Sequence, residues 1–151
     1  MESVTPDKFV TLISLADVMI DPYPWGGGVT TLEALSVGTL VVTLPSKQSV
    51  VALAAGFYGH LGLDGSISVG GGTAGVNDGA SGTAGPPPTD ARLVVRDVDE
   101  FVEMALLIAR DSAVRAALGA RVESAMAQRP VFEDESAVDE WERVLLSVAV
   151  L

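Results

Sequence analysis

The sequence predicts an α/β fold: the outer part of a doubly wound parallel sheet covered by helices, followed by a helical tail. Three observations predict it. Leu40-Val41-Val42-Thr43-Leu44 is an apolar run without polar alternation, as expected of a strand buried on both faces. A glycine turn and a short helix separate it from an earlier run, Val18-Met19-Ile20, which is the order of a βαβ unit. From Phe101 onward, apolar residues recur only at helical spacing.

Each element has local signals. Thr5-Pro6-Asp7 reads as a helix start, with a hydroxyl cap and proline in the first turn, and Phe9, Val10, Leu12, Ile13 and Ala16 give it an apolar face. Asp17 ends this helix, and Val18–Ile20 is a short strand closed by Asp21-Pro22. A second helix is expected over Val29–Ser36, with Leu32 and Leu35 inward and Gly38 as its stop. After the Leu40–Leu44 strand, a third helix is expected from Gln48 to Ala55, ending at Gly56. Residues 65–91 are rich in Gly, Ser, Thr, Ala and Pro without periodicity, and predict a disordered surface insertion. Their glycines do not predict a second phosphate loop, because no strand precedes them and no helix follows. Leu93-Val94-Val95 is a further short strand. Helices follow to about Arg110, from an Asp111-Ser112 cap to Gln128, and from Glu135 to Val150, the last with Trp141 as its docking anchor. Three strands are few for a doubly wound sheet, so the chain reads as part of a larger structure.

Composition narrows the function. With 48% hydrophobic residues in 151, the chain can bury a core of its own. A net charge of −11 and scattered basic residues argue against a nucleic-acid surface. The absence of cysteine excludes disulfides and thiol catalysis, and a single histidine, His60, excludes a multi-histidine metal site. No signal peptide and no membrane-length apolar run is visible, so a cytoplasmic protein is expected, with the nucleus also compatible.

The chemistry-bearing feature is the junction Trp25-Gly26-Gly27-Gly28-Val29-Thr30-Thr31-Leu32-Glu33. The first N–H groups of a helix lack internal partners, and aligned peptide dipoles add positive charge there. Three glycines let an anion approach the main chain, Thr30 and Thr31 add hydroxyl donors, and Glu33 lies one turn on, where a carboxylate can accept from two ribose hydroxyls. The pattern is neither G-x-x-x-x-G-K-[ST] nor G-x-G-x-x-G, and on the glycines alone a purely structural strand-to-helix turn explains it equally well. Lys47, just past a strand, is the cation best placed to reach a ligand, and Trp25 either stacks on a nucleotide or simply packs. His60 reads as a surface or loop histidine. Asp17 and Asp21 read as a helix stop and a strand end, rather than as a metal pair.

The stretch "FVTLISLADVMIDPYPWGGGVTTLEALSVGTLVVTLP" resembles the C-terminal half of the catalytic region of the O-linked N-acetylglucosamine transferases, which have the GT-B architecture. The motifs that carry the resemblance are Ala16-Asp17, Asp21-Pro22, Gly26–Gly28, Thr30-Thr31, Glu33, Ala34-Leu35, Gly38 and Thr43–Pro45, and it resumes in "LVVRDVDEFVEMALLIARDSAVRAALGARV" and "RPVFEDESAVDEWERVL". It implies a partial Rossmann-like GT-B C-terminal lobe: residues 1–64 a βαβ nucleotide-sugar-binding segment, 65–91 an insertion, and 92–151 the last strand and C-terminal helices. It implies that Gly26, Gly27, Gly28, Val29, Thr30 and Thr31 receive the diphosphate of UDP-GlcNAc or a related donor. Glu33 then takes the ribose, and Lys47 and Trp25 are further candidates. It implies glycosyl transfer to protein Ser/Thr with no metal or cofactor required. The acceptor is met through an N-terminal lobe, with helical repeats, that this chain lacks; hence no catalytic residue is assigned here and the chain alone is expected to be inactive. Gly28 stands where many members have histidine, Val29 where threonine is common, and Ala52 where an arginine is frequent. Another GT-B lobe, or a non-catalytic remnant that serves as a binding or interaction module, remains the alternative.

Overall fold

The computed structural model of the chain describes residues 5–47, 52–69, 89–129 and 135–149. It is an α/β structure, mostly helical, around a small parallel sheet. The elements are α1 (Pro6–Ser14), β1 (Met19–Ile20), α2 (Val29–Ser36), β2 (Val41–Val42), α3 (Leu53–Leu61), β3 (Ile67–Val69), β4 (Thr89–Ala91), α4 (Val98–Arg110), α5 (Ser112–Gln128) and α6 (Glu135–Ala149).

β1 and β2 run parallel, Met19 opposite Val41 and Ile20 opposite Val42. The N–H groups of Met19 and Asp21 donate to the carbonyls of Leu40 and Val42, at 2.8 and 3.0 Å. On the other edge of β2, Thr43 forms a parallel bridge with Val94, its N–H donating to Leu93 and its carbonyl accepting from Val95, each at 2.9 Å. β2 therefore lies between β1 and the Leu93–Val95 segment. Below that bridge the third segment gives way to a side chain. The Tyr58 hydroxyl accepts from the Val41 N–H at 3.1 Å and donates to the Val41 carbonyl at 2.9 Å. One phenol thus satisfies both main-chain groups that a longer strand would have paired.

Leu40, Val41, Val42, Leu93 and Val95 are buried, as the unbroken apolar runs predict. Around them pack Ala34 and Leu35 of α2, Tyr58 and Leu61 of α3, Met104 and Ile108 of α4, and Val114, Leu118 and Val122 of α5. Caps set the later helices: Asp97 accepts from the Glu100 N–H, and Asp111 accepts from those of Ala113 and Val114. Ahead of α4, Arg96 holds Glu100 through its backbone N–H, Nε and Nη2, and this hydrogen bonding keeps the Glu100 carboxyl below its usual range.

Several expectations are corrected. Thr5 occupies the cap position of α1, but its side chain makes no capping bond, and Leu12 and Ala16 are exposed, leaving Ile13 as the buried residue of that helix. The third helix runs from Leu53 to Leu61, passing through Gly56 and Gly59. Its stop is Gly62, at φ +71°, a left-handed conformation that costs glycine least. Burial of Ala54, Tyr58 and Leu61 on one face outweighs the helix cost of those two glycines. Residues 48–51 of the predicted helix lie outside the described residues. Both ends of the predicted insertion are ordered, because β3 pairs antiparallel with β4, Ile67 opposite Ala91. Ile67 and Val69 alternate inward into the core, which offsets the entropy cost that the Gly-rich composition suggests. The remainder, 70–88, lies outside the described residues.

Candidate functional site

The glycine turn lies where the fold places ligands in open α/β sheets, beyond the carboxyl ends of the parallel strands. Asp21 directly follows β1, Thr43 directly follows β2, and the turn leads from β1 into α2. The three are joined. The Asp21 carboxylate is buried; Oδ1 accepts from the Gly27 N–H, and Oδ2 accepts from the Thr43 hydroxyl at 2.6 Å. A buried carboxylate is tolerable only with such donors, and here they pin the turn to both strands.

Gly27 is required by what surrounds it. A Cβ there would lie 2.6 Å from Thr30 Oγ1, 3.3 Å from Thr31 Oγ1 and 3.4 Å from Asp21 Oδ1. Thr31 is fully buried, and its hydroxyl donates to the Gly27 carbonyl at 3.2 Å. Of the two threonines read as ligand donors, Thr31 therefore spends its hydroxyl on the turn, and Thr30 lies half-buried against Gly27. The sequence signal for this division is weak, since both threonines open the helix.

Gly28 caps α2, and its carbonyl accepts from the N–H groups of Thr31 and Leu32 at 3.1 and 3.2 Å. Among the described residues, the N–H groups of Val29 and Thr30 find no acceptor. They are the orphan donors that a helix start leaves for solvent or an anion. The rim is apolar. Val29 is 71% exposed, Tyr23 and Trp25 are exposed, and Leu53 approaches Gly28 so closely that a Cβ there would meet Leu53 Cδ1 at 2.8 Å. Gly26 is half-buried, as is Glu33 one turn into α2, and Lys47 is exposed. Trp25 is exposed and does not pack into the core of the described residues.

The two aspartates have separate tasks: Asp17 pairs with Arg115 Nη2 at 3.0 Å, while Asp21 serves the turn. Among the described residues, no three of His, Asp and Glu are grouped to hold a metal ion. His60 is exposed near the end of α3, its carbonyl accepting from Arg129 at 3.2 Å. Two roomy clefts, of about 740 and 760 Å³, lie away from the turn, against α4 and between α2 and α5. The first is lined by Met104, Leu106, Leu107 and Arg110 among others, the second by Ser36, Thr39, Arg115 and Glu123 among others. Sequence reasoning missed the Asp21 tie; its signal was an acid ending one apolar strand and a threonine ending the next.

No protein-family model matches the chain, and no curated protein matches it in sequence. No helix among the described residues is long and apolar enough to cross a membrane.

Proposed function

We propose that this chain is the nucleotide-sugar-binding part of a glycosyltransferase resembling the protein O-GlcNAc transferases. In this reading it belongs to a Rossmann-like GT-B C-terminal lobe. The observation that supports it best is the pair of N–H groups, Val29 and Thr30, that find no acceptor among the described residues and open α2 at the carboxyl ends of the parallel strands. These would receive the diphosphate of UDP-GlcNAc or a related donor, with Gly26, Gly27 and Gly28 giving it room and Glu33 accepting from the ribose. The same donors would stabilise the charge that grows on the diphosphate as the sugar leaves for a Ser or Thr hydroxyl. Lys47 and Trp25 stand exposed and free to assist. Thr31 acts one step back, through Gly27.

Titration calorimetry with UDP-GlcNAc, UDP and GDP-fucose tests this reading. We expect saturable binding of the uridine ligands, weakened about tenfold by Glu33→Ala, the loss of roughly one or two hydrogen bonds. Saturation by none of the three would leave the alternative of a non-catalytic interaction module. That alternative draws on a different observation, the exposed apolar face of α6.

A further inference from the structure

The carboxylate beneath the glycine turn is set apart by its partners. Asp21 is 3% exposed, and both of its oxygens accept hydrogen bonds, Oδ1 from the Gly27 N–H and Oδ2 from the Thr43 hydroxyl. Two accepting oxygens are the pattern of an ionised carboxylate. Both donors are neutral. Among the described residues, the arginines that pair with acids are Arg92, Arg96 and Arg115, and the acids they meet are Glu100 and Asp17. Asp21 therefore keeps a negative charge that no neighbouring cation cancels, in a place shielded from water.

That charge lies directly behind the helix start. The Cβ position of Gly27 is 3.4 Å from Asp21 Oδ1 and 2.6 Å from Thr30 Oγ1, so the carboxylate and the first turn of α2 share one small volume. The N–H groups of Val29 and Thr30 belong to the same turn. The tie itself does not need the charge. A neutral amide could accept from Gly27 through its oxygen and donate to Thr43 Oγ1 through its nitrogen. What the charge adds has a fixed sign: it weakens the hold on any anion at the helix start, and more so the more charge that anion carries.

Donor and product differ in this respect. Both phosphates of a nucleotide sugar are disubstituted, with one charge each. A free nucleoside diphosphate ends in a monosubstituted phosphate whose further ionisation, at about pH 6, adds close to one more charge. We infer that Asp21 is a specificity determinant of the turn, its fixed charge disfavouring the free nucleoside diphosphate relative to the nucleotide sugar; the inference rests on the proposed function. Thr43 moderates the effect, because its hydroxyl partly compensates the carboxylate.

Titration calorimetry of the full chain with UDP and UDP-GlcNAc tests this, at about 150 mM sodium chloride so that distant surface acids are screened. Asp21→Asn should tighten UDP about threefold or more and UDP-GlcNAc by less, so the ratio of the two dissociation constants moves toward UDP. Thr43→Val leaves Gly27 on Oδ1 but withdraws the donor from Oδ2. It should move the ratio the opposite way, and it decides the matter if Asp21→Asn fails to fold by circular dichroism. A tie with no electrostatic role predicts that both variants weaken both ligands alike. Wild-type binding with an unchanged ratio in the folded variants would overturn this inference and leave the proposed function standing. No binding of either ligand to the wild type would overturn the proposed function, and this inference with it.

Discussion

Tyr58 shows how much one side chain can carry. Its ring is fully buried, and its hydroxyl closes both main-chain groups of Val41 where the third parallel segment no longer reaches. Burial pushes the phenol above its ordinary range and the Asp21 charge adds to this, against the opposing pull of the Val41 hydrogen bond. Tyr58→Phe should therefore cost about 1–3 kcal/mol, because it leaves a buried N–H and C=O unmatched. The sign of the pH effect follows from the same shift. Above the ordinary tyrosine value of 10.0, an unfolded chain gives up the phenolic proton that the folded chain keeps. Stability should fall as pH rises past that point, and urea unfolding followed between neutral pH and about pH 11 should show a shallower fall in Tyr58→Phe. An equal slope in both proteins would mean that other groups govern alkaline unfolding.

At the scale of elements, the turn, α2 and the two strand ends form one unit held by Asp21. Asp21→Ala removes the acceptor for the Gly27 N–H and the Thr43 hydroxyl together, and should destabilise by about 2–4 kcal/mol. Thr43→Val, which removes one donor only, should cost less. Denaturant midpoints rank the two, and a smaller effect for Asp21→Ala would mean that the turn holds its shape without the carboxylate. This tie also marks how far the sequence could be read. Helix α4 was legible from apolar residues at helical spacing from Phe101 on, α5 because Asp111 announces its start, and β2 because its apolar run has no polar alternation. The α3 boundary was not, because Gly56 looks like a stop while the actual stop, Gly62, shows itself only through its backbone angle. β3 was hidden for another reason, since the alternation of Ile67 and Val69 is swamped by glycine and serine around it. The glycine turn was legible as a place. Its internal wiring joins residues 22 apart through side-chain hydrogen bonds, and no periodicity records such a link. For the same reason Trp141, expected as an anchor, stands exposed: a seam can be read in a sequence, but its partner cannot.

The molecule as a whole carries a net charge of −11, which separates two ways of holding an anion. A site built on lysine or arginine weakens as salt screens the attraction, whereas this turn offers main-chain donors, with Lys47 exposed as a candidate cation. Around it, the field of 20 acids against nine bases repels a nucleotide diphosphate during approach, and salt relieves that repulsion. If the N–H groups of Val29 and Thr30 make the contact, UDP affinity should hold steady or rise as sodium chloride increases from about 20 to about 150 mM, because short-range hydrogen bonds are screened far less than distant charges. Lys47→Ala should then change the dissociation constant less than about twofold, a difference of roughly 0.4 kcal/mol. If Lys47 supplies the grip, affinity should fall with salt and collapse in that variant. Calorimetry at the two salt concentrations, on both proteins, separates main-chain capture from ordinary ion pairing.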